Sequence, residues 1–314
     1  MRILVSGANG QLGTDLVDTF SEEHQVLGFT REDCDITKTE KTVEYITSRE
    51  PDLIIHSAAF TDVDGCEEEE DRAFRVNGLG ARNVAVAASE VGAKMVYVST
   101  DYVFAGNKSG VYREDVEPAP RTVYGKSKLL GEKYVKEQVS EHFICRIAWL
   151  YGSHGENFLQ TMLGLARSEE EIEVVEDQIG SPTWTKSIAN QLQHLVRTRK
   201  YGTYHCTSRG SCSWYEFARE IFLNAGFQVT KNLDPGIILS PEQGDPQFRS
   251  STSQDDIGLV KLIPVSSVKF ERTAPRPKNS VLENYMLNLE GLNNMPHWKD
   301  SLEEFMAESG EDVI

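Results

Sequence analysis

"RILVSGANGQLG", residues 2–13, decides how the chain is read. Residues 2–6 are a short apolar, β-branched run, and Gly7 ends it. An amphipathic stretch, "QLGTDLVDTFSEE", starts at Gln11. Gly7, Gly10 and Gly13 recur at intervals of three across this junction. Gly7 suits a tight turn, and Gly10 lets the backbone approach a pyrophosphate. Free N–H groups at the helix start would meet its charge, and Gly13 allows close helix–strand packing. The spacing GxxGxxG departs from the older GxGxxG fingerprint. Glycine-rich turns without a ligand are common, so the weight of this one comes from its place after a first strand.

The alternation continues outward. Strand patterns at 25–30 ("QVLGFT"), 52–59 ("DLIIHSAA"), 93–100 ("AKMVYVST") and 143–152 ("FICRIAWLYG") are separated by helical patterns at 37–51, 71–92 and 127–138. Short β-branched runs between helices predict an α/β fold: a Rossmann-like, doubly wound parallel sheet with right-handed crossovers. The acidic run "EEEED", 67–71, is read as the opening of the helix that follows, where acids suit the positive dipole end. Beyond residue 155 the pattern loosens. Helices are expected in "NFLQTMLGLARSEEE" and "SWYEFAREIFLNAG", and strands in "EIEVVED" and "GTYHC". Residues 1–155 are therefore expected to form a dinucleotide-binding domain, completed by about 171–200. Residues 156–314 are expected to form mainly a smaller α/β substrate-binding lobe. Residues 230–272 read as a long irregular insert, with only "GLVKLIPV" able to add an edge strand.

Bulk properties narrow the functions. The 314 residues are 39% hydrophobic and 26% charged, enough for a sizeable core. A net charge of −17 argues against nucleic acid and anionic membranes as partners. No apolar run is long enough to span a bilayer, and no signal peptide is evident, so a cytoplasmic enzyme is expected. Five scattered cysteines without a CxxC pair read as buried free thiols. The second strand ends "GFTRED", with Arg31 ahead of two acids. An arginine there accommodates a 2′-phosphate, so NADPH is expected and NADH stays open. A surface arginine paired with its acidic neighbours is the plainer alternative.

"YGKSK", 124–128, places Tyr124 and Lys128 on one helix face. A cation beside a phenol lowers its pKa, and a phenol tuned toward neutrality can pass a proton to a carbonyl oxygen as hydride arrives. YxxxK alone is common. Here "STDYVF" ends the fourth strand 24 residues before the tyrosine and offers the hydroxyls of Ser99 and Thr100.

With the glycine turn, "STDYVF" and "YGKSK" in hand, the chain resembles the extended short-chain dehydrogenase/reductase superfamily. "RIAWLYG", "VVEDQIGSPTW", "GTYHCTSRGSCSWYEFA" and "APRPKNSVL" narrow the resemblance to the dTDP-4-dehydrorhamnose reductases, over nearly the whole chain except 230–272. The resemblance implies a dTDP-sugar substrate, dTDP-L-rhamnose synthesis and roles by position. Thr100 would bond the sugar 4-keto oxygen, Tyr124 would give the proton, and Lys128 would hold the nicotinamide ribose. Gly10, Gln11 and Leu12 would meet the pyrophosphate, with Asp35 and Ile36 near the adenine. Ala58, Ala59 and Thr61 would line the middle of the cofactor. Asp101, Tyr102 and Trp149 would contact the sugar nucleotide, with Asn157 and Arg276 at its nucleotide end.

Two features depart from the family pattern. Ala105-Gly106 replaces the usual Asp-Gly, and the 230–272 segment is long. Some members bind magnesium through carboxylates at a dimer interface. Asp15 matches one such position and the others find no counterpart, leaving metal and a monomer or homodimer open. Two other functions remain at this stage. One is a sister nucleotide-sugar reductase or epimerase. The other is a non-catalytic NADP-binding regulatory subunit, against which the presence of Thr100, Tyr124 and Lys128 speaks.

Overall fold

A computed structural model of the chain describes residues 1–169, 171–231 and 258–310. The first half alternates as expected: β1 (Arg2–Ser6), α1 (Gln11–Ser21), β2 (Gln25–Phe29), α2 (Thr39–Thr47) and β3 (Leu53–His56). Next come α3 (Val63–Glu68) and α4 (Glu70–Ala73), which continues through a π-helical segment, Phe74–Gly80, into α5 (Ala81–Val91). β4 (Lys94–Thr100), α6 (Val123–Gln138) and β5 (His142–Ile147) complete this half. The acidic run does not simply open a helix. Asp62 caps α3 by accepting a bond from the Gly65 N–H, so Glu67 and Glu68 end α3 and only Glu70 and Asp71 lie in a first turn.

The strand expected at 143–152 is broken. β5 stops at Ile147, Trp149 takes a left-handed backbone with φ 49°, and β6 (Leu150–Tyr151) leaves the sheet to pair elsewhere. The second half then runs α7 (Phe158–Ser168), β7 (Glu171–Val175), β8 (Ile179–Gly180), β9 (Thr183–Trp184), α8 (Thr185–Val196) and β10 (Gly202–His205). β11 (Cys212–Ser213), α9 (Trp214–Asn224), β12 (Gln228–Lys231), β13 (Leu259–Val265), α10 (Tyr285–Leu289) and α11 (Trp298–Ser309) follow.

The main sheet is parallel with order β10-β5-β4-β3-β1-β2. Its period-2 alternation sends Ile3 and Val5 to one face and Leu4 to the other. On the first face α1 and α8 supply Leu12, Leu16, Phe20, Ile188 and Leu192. On the second, α2, α5 and α6 supply Ile46, Val84, Ala88 and Val135. The strand order reverses between β1 and β3. In open α/β sheets that reversal, at the carboxyl ends of the strands, is where ligands bind.

A second parallel sheet has order β12-β13-β7. α7, α9 and α11 pack with it into a separate core that contains Leu159, Ile172, Phe217, Leu262 and Phe305. "GLVKLIPV" is thus the central strand of this sheet and not an edge addition: β13 pairs with β12 on one side and β7 on the other. Most of the 230–272 stretch lies outside the described residues. After β13 the chain returns to the first half. The Ala274 N–H donates to Asp64, and the N–H of Asn279 donates to the Gly106 carbonyl. All five cysteines are buried and free. Among the described residues, no helix is long and apolar enough to cross a membrane.

Candidate active site

The glycine turn sits at the reversal point between β1 and β3. Gly7 has φ 70°, its N–H donates to the Phe29 carbonyl at 2.9 Å, and a Cβ on it would meet the Ala58 backbone at 2.9 Å. A Cβ on Gly13 would overlap the Gly7 carbonyl, so helix α1 approaches the turn as closely as backbone allows. Gly10 is the N-cap of α1 and offers no side chain to bond the first N–H groups of the helix. These features make a phosphate cradle of the kind expected from residues 2–13.

A cavity of 530 Å³ opens from the cradle across the ends of β1, β3, β4 and β5. Gly7, Gly10, Gln11, Leu12, Gly13, Arg31, Ala58, Ala59 and Thr61 line one end of it. Thr100, Asp101, Tyr102, Tyr124, Lys128 and Trp149 line the other. A second cavity, 460 Å³, adjoins it and shares Gly7, Arg31, Ala58 and Ala59. Asp35 and Ile36 line this one. Burial would raise the Asp35 carboxyl, but two bonds from Thr37 and the nearby Arg31 guanidinium hold it below its ordinary value.

At the chemical end, Thr100 closes β4 and caps the short turn Asp101–Val103. Its hydroxyl donates to Asp101 Oδ1 at 2.9 Å and is in hydrogen-bond contact with the Tyr124 phenol. Burial raises the Asp101 carboxyl to about 6, against hydrogen bonds from Thr100 and Ser280. Thr122 caps α6 through the Gly125 N–H, which fixes the first turn that carries Tyr124. The Tyr102 ring meets the Tyr124 ring edge-on, 5.5 Å between centroids.

Tyr124 and Lys128 share the cavity as the helical spacing requires, but burial outweighs any lowering of the phenol by the lysine. The Lys128 ammonium dips to the sheet, donates to the Val98 carbonyl at 2.6 Å and lies 4.2 Å over the Tyr97 ring. Burial lowers Lys128 to about 7, and the Glu132 carboxylate opposes that shift. Burial pushes the Tyr124 phenol upward from its ordinary value of 10.0, and the Thr100 bond only partly opposes it. Tyr124 is therefore a protonated donor at neutral pH, not a poised phenolate.

Two candidates lie outside the large cavity. Asn157 is spent as the N-cap of α7, accepting from the Gln160 N–H at 3.1 Å and donating to the Gly152 carbonyl at 2.9 Å. The Arg276 fork grips Asp64 at 2.7 and 3.1 Å, in a small separate recess beside Tyr102. Trp149 stacks on Trp214 at 3.5 Å with rings 3° from parallel. Among the described residues no group of three His, Cys, Asp or Glu could hold a metal ion. Asp15 has Thr185 as its hydrogen-bond partner, and burial raises its carboxyl.

Sequence reading overlooked Ser57, Val63 and Ile147 in the first cavity, and Lys38, Arg72 and Arg75 in the second. Arg72 and Arg75 sit in a helical run with no local signal. Only the fold brings them to the cavity, whereas Lys38 comes two residues after Ile36.

Comparison with known proteins agrees with the geometry. Residues 1–310 match the family described as the RmlD substrate binding domain. The chain is 36% identical to a Bacillus subtilis spore coat polysaccharide biosynthesis protein, SpsK, over 98% of this chain and 97% of that one. It is 34% identical to a dTDP-4-dehydrorhamnose reductase of Burkholderia thailandensis, over 95% and 96%. A crystal structure of dTDP-4-dehydrorhamnose reductase from Bacillus anthracis, in complex with NADP, superposes with a TM-score of 0.86 at 42% identity, covering 98% of this chain and 99% of that one. With matches this extensive on a phosphate cradle that leads to Thr100, Tyr124 and Lys128, the chain belongs to the dTDP-4-dehydrorhamnose reductase family.

Proposed function

We propose that the protein reduces the 4-keto group of dTDP-4-dehydro-L-rhamnose to give dTDP-L-rhamnose, using NADPH. One observation carries the reading: a single cavity joins the glycine cradle to the Thr100–Tyr124–Lys128 cluster. A nicotinamide held in this cavity would supply hydride to the sugar C4. Tyr124 gives its phenolic proton to the 4-oxygen, and Thr100, already in contact with that phenol, bonds the same oxygen. Hydride and proton together convert carbonyl to alcohol. Lys128, anchored at the cavity floor by the Val98 carbonyl, holds the cofactor ribose. Gly10, Gln11 and Leu12 meet the pyrophosphate. Asp35 and Ile36 stand at the adenine, and Arg31, between the two cavities, meets the 2′-phosphate. Asp101, Tyr102 and Trp149 face the sugar nucleotide. The fit of the cofactor rests on the cradle that a Cβ would fill at Gly7 or Gly13.

The test is product analysis with dTDP-4-dehydro-6-deoxy-L-sugar and each reduced nicotinamide cofactor. Net formation of dTDP-L-rhamnose at the expense of NADPH is the expected result. A product of inverted configuration, or recycling of tightly held NAD without net reduction, would replace this reading with a sister activity on the same scaffold.

A further inference from the structure

Beneath the catalytic cluster lies a charged group that the reaction itself does not use. Glu132 follows Lys128 by one turn on the same face of α6 and is 0% exposed. Its Oε1 accepts from Ser99 Oγ at 2.6 Å and from Arg146 Nε at 2.9 Å, and its Oε2 accepts from Arg146 Nη2 at 2.8 Å. Arg146, on β5, is 2% exposed and is among the largest wholly buried side chains. Its guanidinium lies 5.1 Å from the centre of the Phe104 ring. Isolating this pair from water costs free energy that a well-packed apolar pair would not. Its place, between the lysine and the strands that end in Thr100 and Ile147, needs a reason.

We propose that Glu132 is a positioning residue for Lys128: its buried carboxylate, clamped by Arg146 and Ser99, keeps the lysine charged at the floor of the active site. The proposal rests on the role of Lys128 given above. Apart from the Val98 carbonyl and the Tyr97 ring, which favour that charge, the other neighbours are neutral or engaged elsewhere. His56 on β3 is wholly buried and bonds Ser6 Oγ through Nδ1, and burial lowers it to about 3, so it is uncharged at neutral pH. Tyr97 on β4 presents its ring, and its hydroxyl is used by the Asn77 and Lys128 carbonyls. Tyr124 on α6 and Tyr102 beside it are both raised by burial and stay neutral. Cys66 on α3 is raised by burial to about 12. Glu67 is bonded to the Val123 N–H at the start of α6, and Asp101 is bonded to Thr100. Glu132 is the charged side chain that opposes the desolvation of Lys128, and Arg146 holds Glu132 in place.

The sign is fixed. Activity that needs charged Lys128 falls as pH rises through the lysine's pKa. Removing the carboxylate moves that fall to lower pH. The variant Glu132→Gln/Arg146→Met removes both charges without leaving either unpaired. Its alkaline limb of kcat/KM should move toward acid, by less than the roughly one pH unit of a single close buried charge, because the Arg146 cation leaves with the carboxylate. Arg146→Lys keeps both charges and should leave the limb where the parent has it. The same titration is read without substrate by NMR of 13Cε-labelled lysine in the full chain, with Lys128→Met identifying the resonance. If the parent proves to act on another substrate, the NMR titration still decides. Should the first pair not fold, Glu132→Gln/Arg146→Gln makes the same charge change. A Lys128 titration that coincides in parent and neutral-pair variant would overturn the proposal, as would an equal shift in Arg146→Lys.

Discussion

In the proposed reaction Tyr124 contributes one proton and one ring. Tyr124→Phe keeps the ring against Tyr102 and removes the acid, so turnover should fall by roughly 10²–10⁴ while NADPH still binds. Cofactor fluorescence titration beside steady-state rates checks both halves of that statement. In the proposed complex Arg31→Ala removes a charge-assisted contact with the 2′-phosphate worth about 1.5–3 kcal/mol, on the order of tenfold to a hundredfold in affinity. NADPH should weaken by that much and NADH should hardly change; equal loss for both would remove the 2′-phosphate role. Asp101 carries a stability signature. Its folded value, about 6, lies above the ordinary 3.8, so the folded state binds the extra proton and stability falls as pH rises from about 4 through about 6. Asp101→Asn has no such loss and should gain on the parent across that window, by about 3 kcal/mol at the upper end. Thermal melts from pH 4 to 7 measure the difference. Tyr124 and Lys128 were legible because their spacing is local, and Thr100 because it ends a strand pattern. The direction of the Tyr124 shift was not, because burial beneath Tyr102 and the drop of Lys128 to the Val98 carbonyl are tertiary facts.

Helix α1 shows what an element demands of one residue. Gly13 faces the Gly7 carbonyl, and both atoms belong to backbone that cannot swing aside. Gly13→Ala should push α1 off β1, lower the melting temperature and weaken NADPH. A variant that binds NADPH like the parent would show that the cradle tolerates the shift. β13 makes the opposite point. It looked like a spare edge in a Ser- and Pro-rich stretch, yet Leu262 is 0% exposed in the second core. Leu262→Ala should cost about 2–5 kcal/mol by urea melt, as a core truncation does and an edge truncation does not. The misreading has a physical cause: a parallel strand reveals its centrality only through partners distant in sequence, here β7 and β12. α8 was readable but overlooked, since Ile188, Ala189, Leu192, Leu195 and Val196 follow helical spacing. Trp149 broke the expected fifth strand because a left-handed residue leaves no mark in an apolar run.

At the scale of the whole molecule, the two halves are clasped by the returning C-terminal segment. Arg276 and the Ala274 N–H both hold Asp64, at the mouth of α3. The alternation of strand and helix foretold the main sheet. The clasp joins residues 64 and 276, and no local pattern reports such a distant pair. β10 has a further consequence, and it concerns birth more than function. It is the edge strand that covers β5, and it is made after the five other strands of the sheet have left the ribosome's active centre. Until residues 202–205 emerge, β5 offers "FIC" as an open apolar margin, the kind of template on which nascent chains stick to one another. The enzyme's most exposed moment is therefore the interval in translation between about residue 150 and residue 205, when a holding chaperone would find its mark.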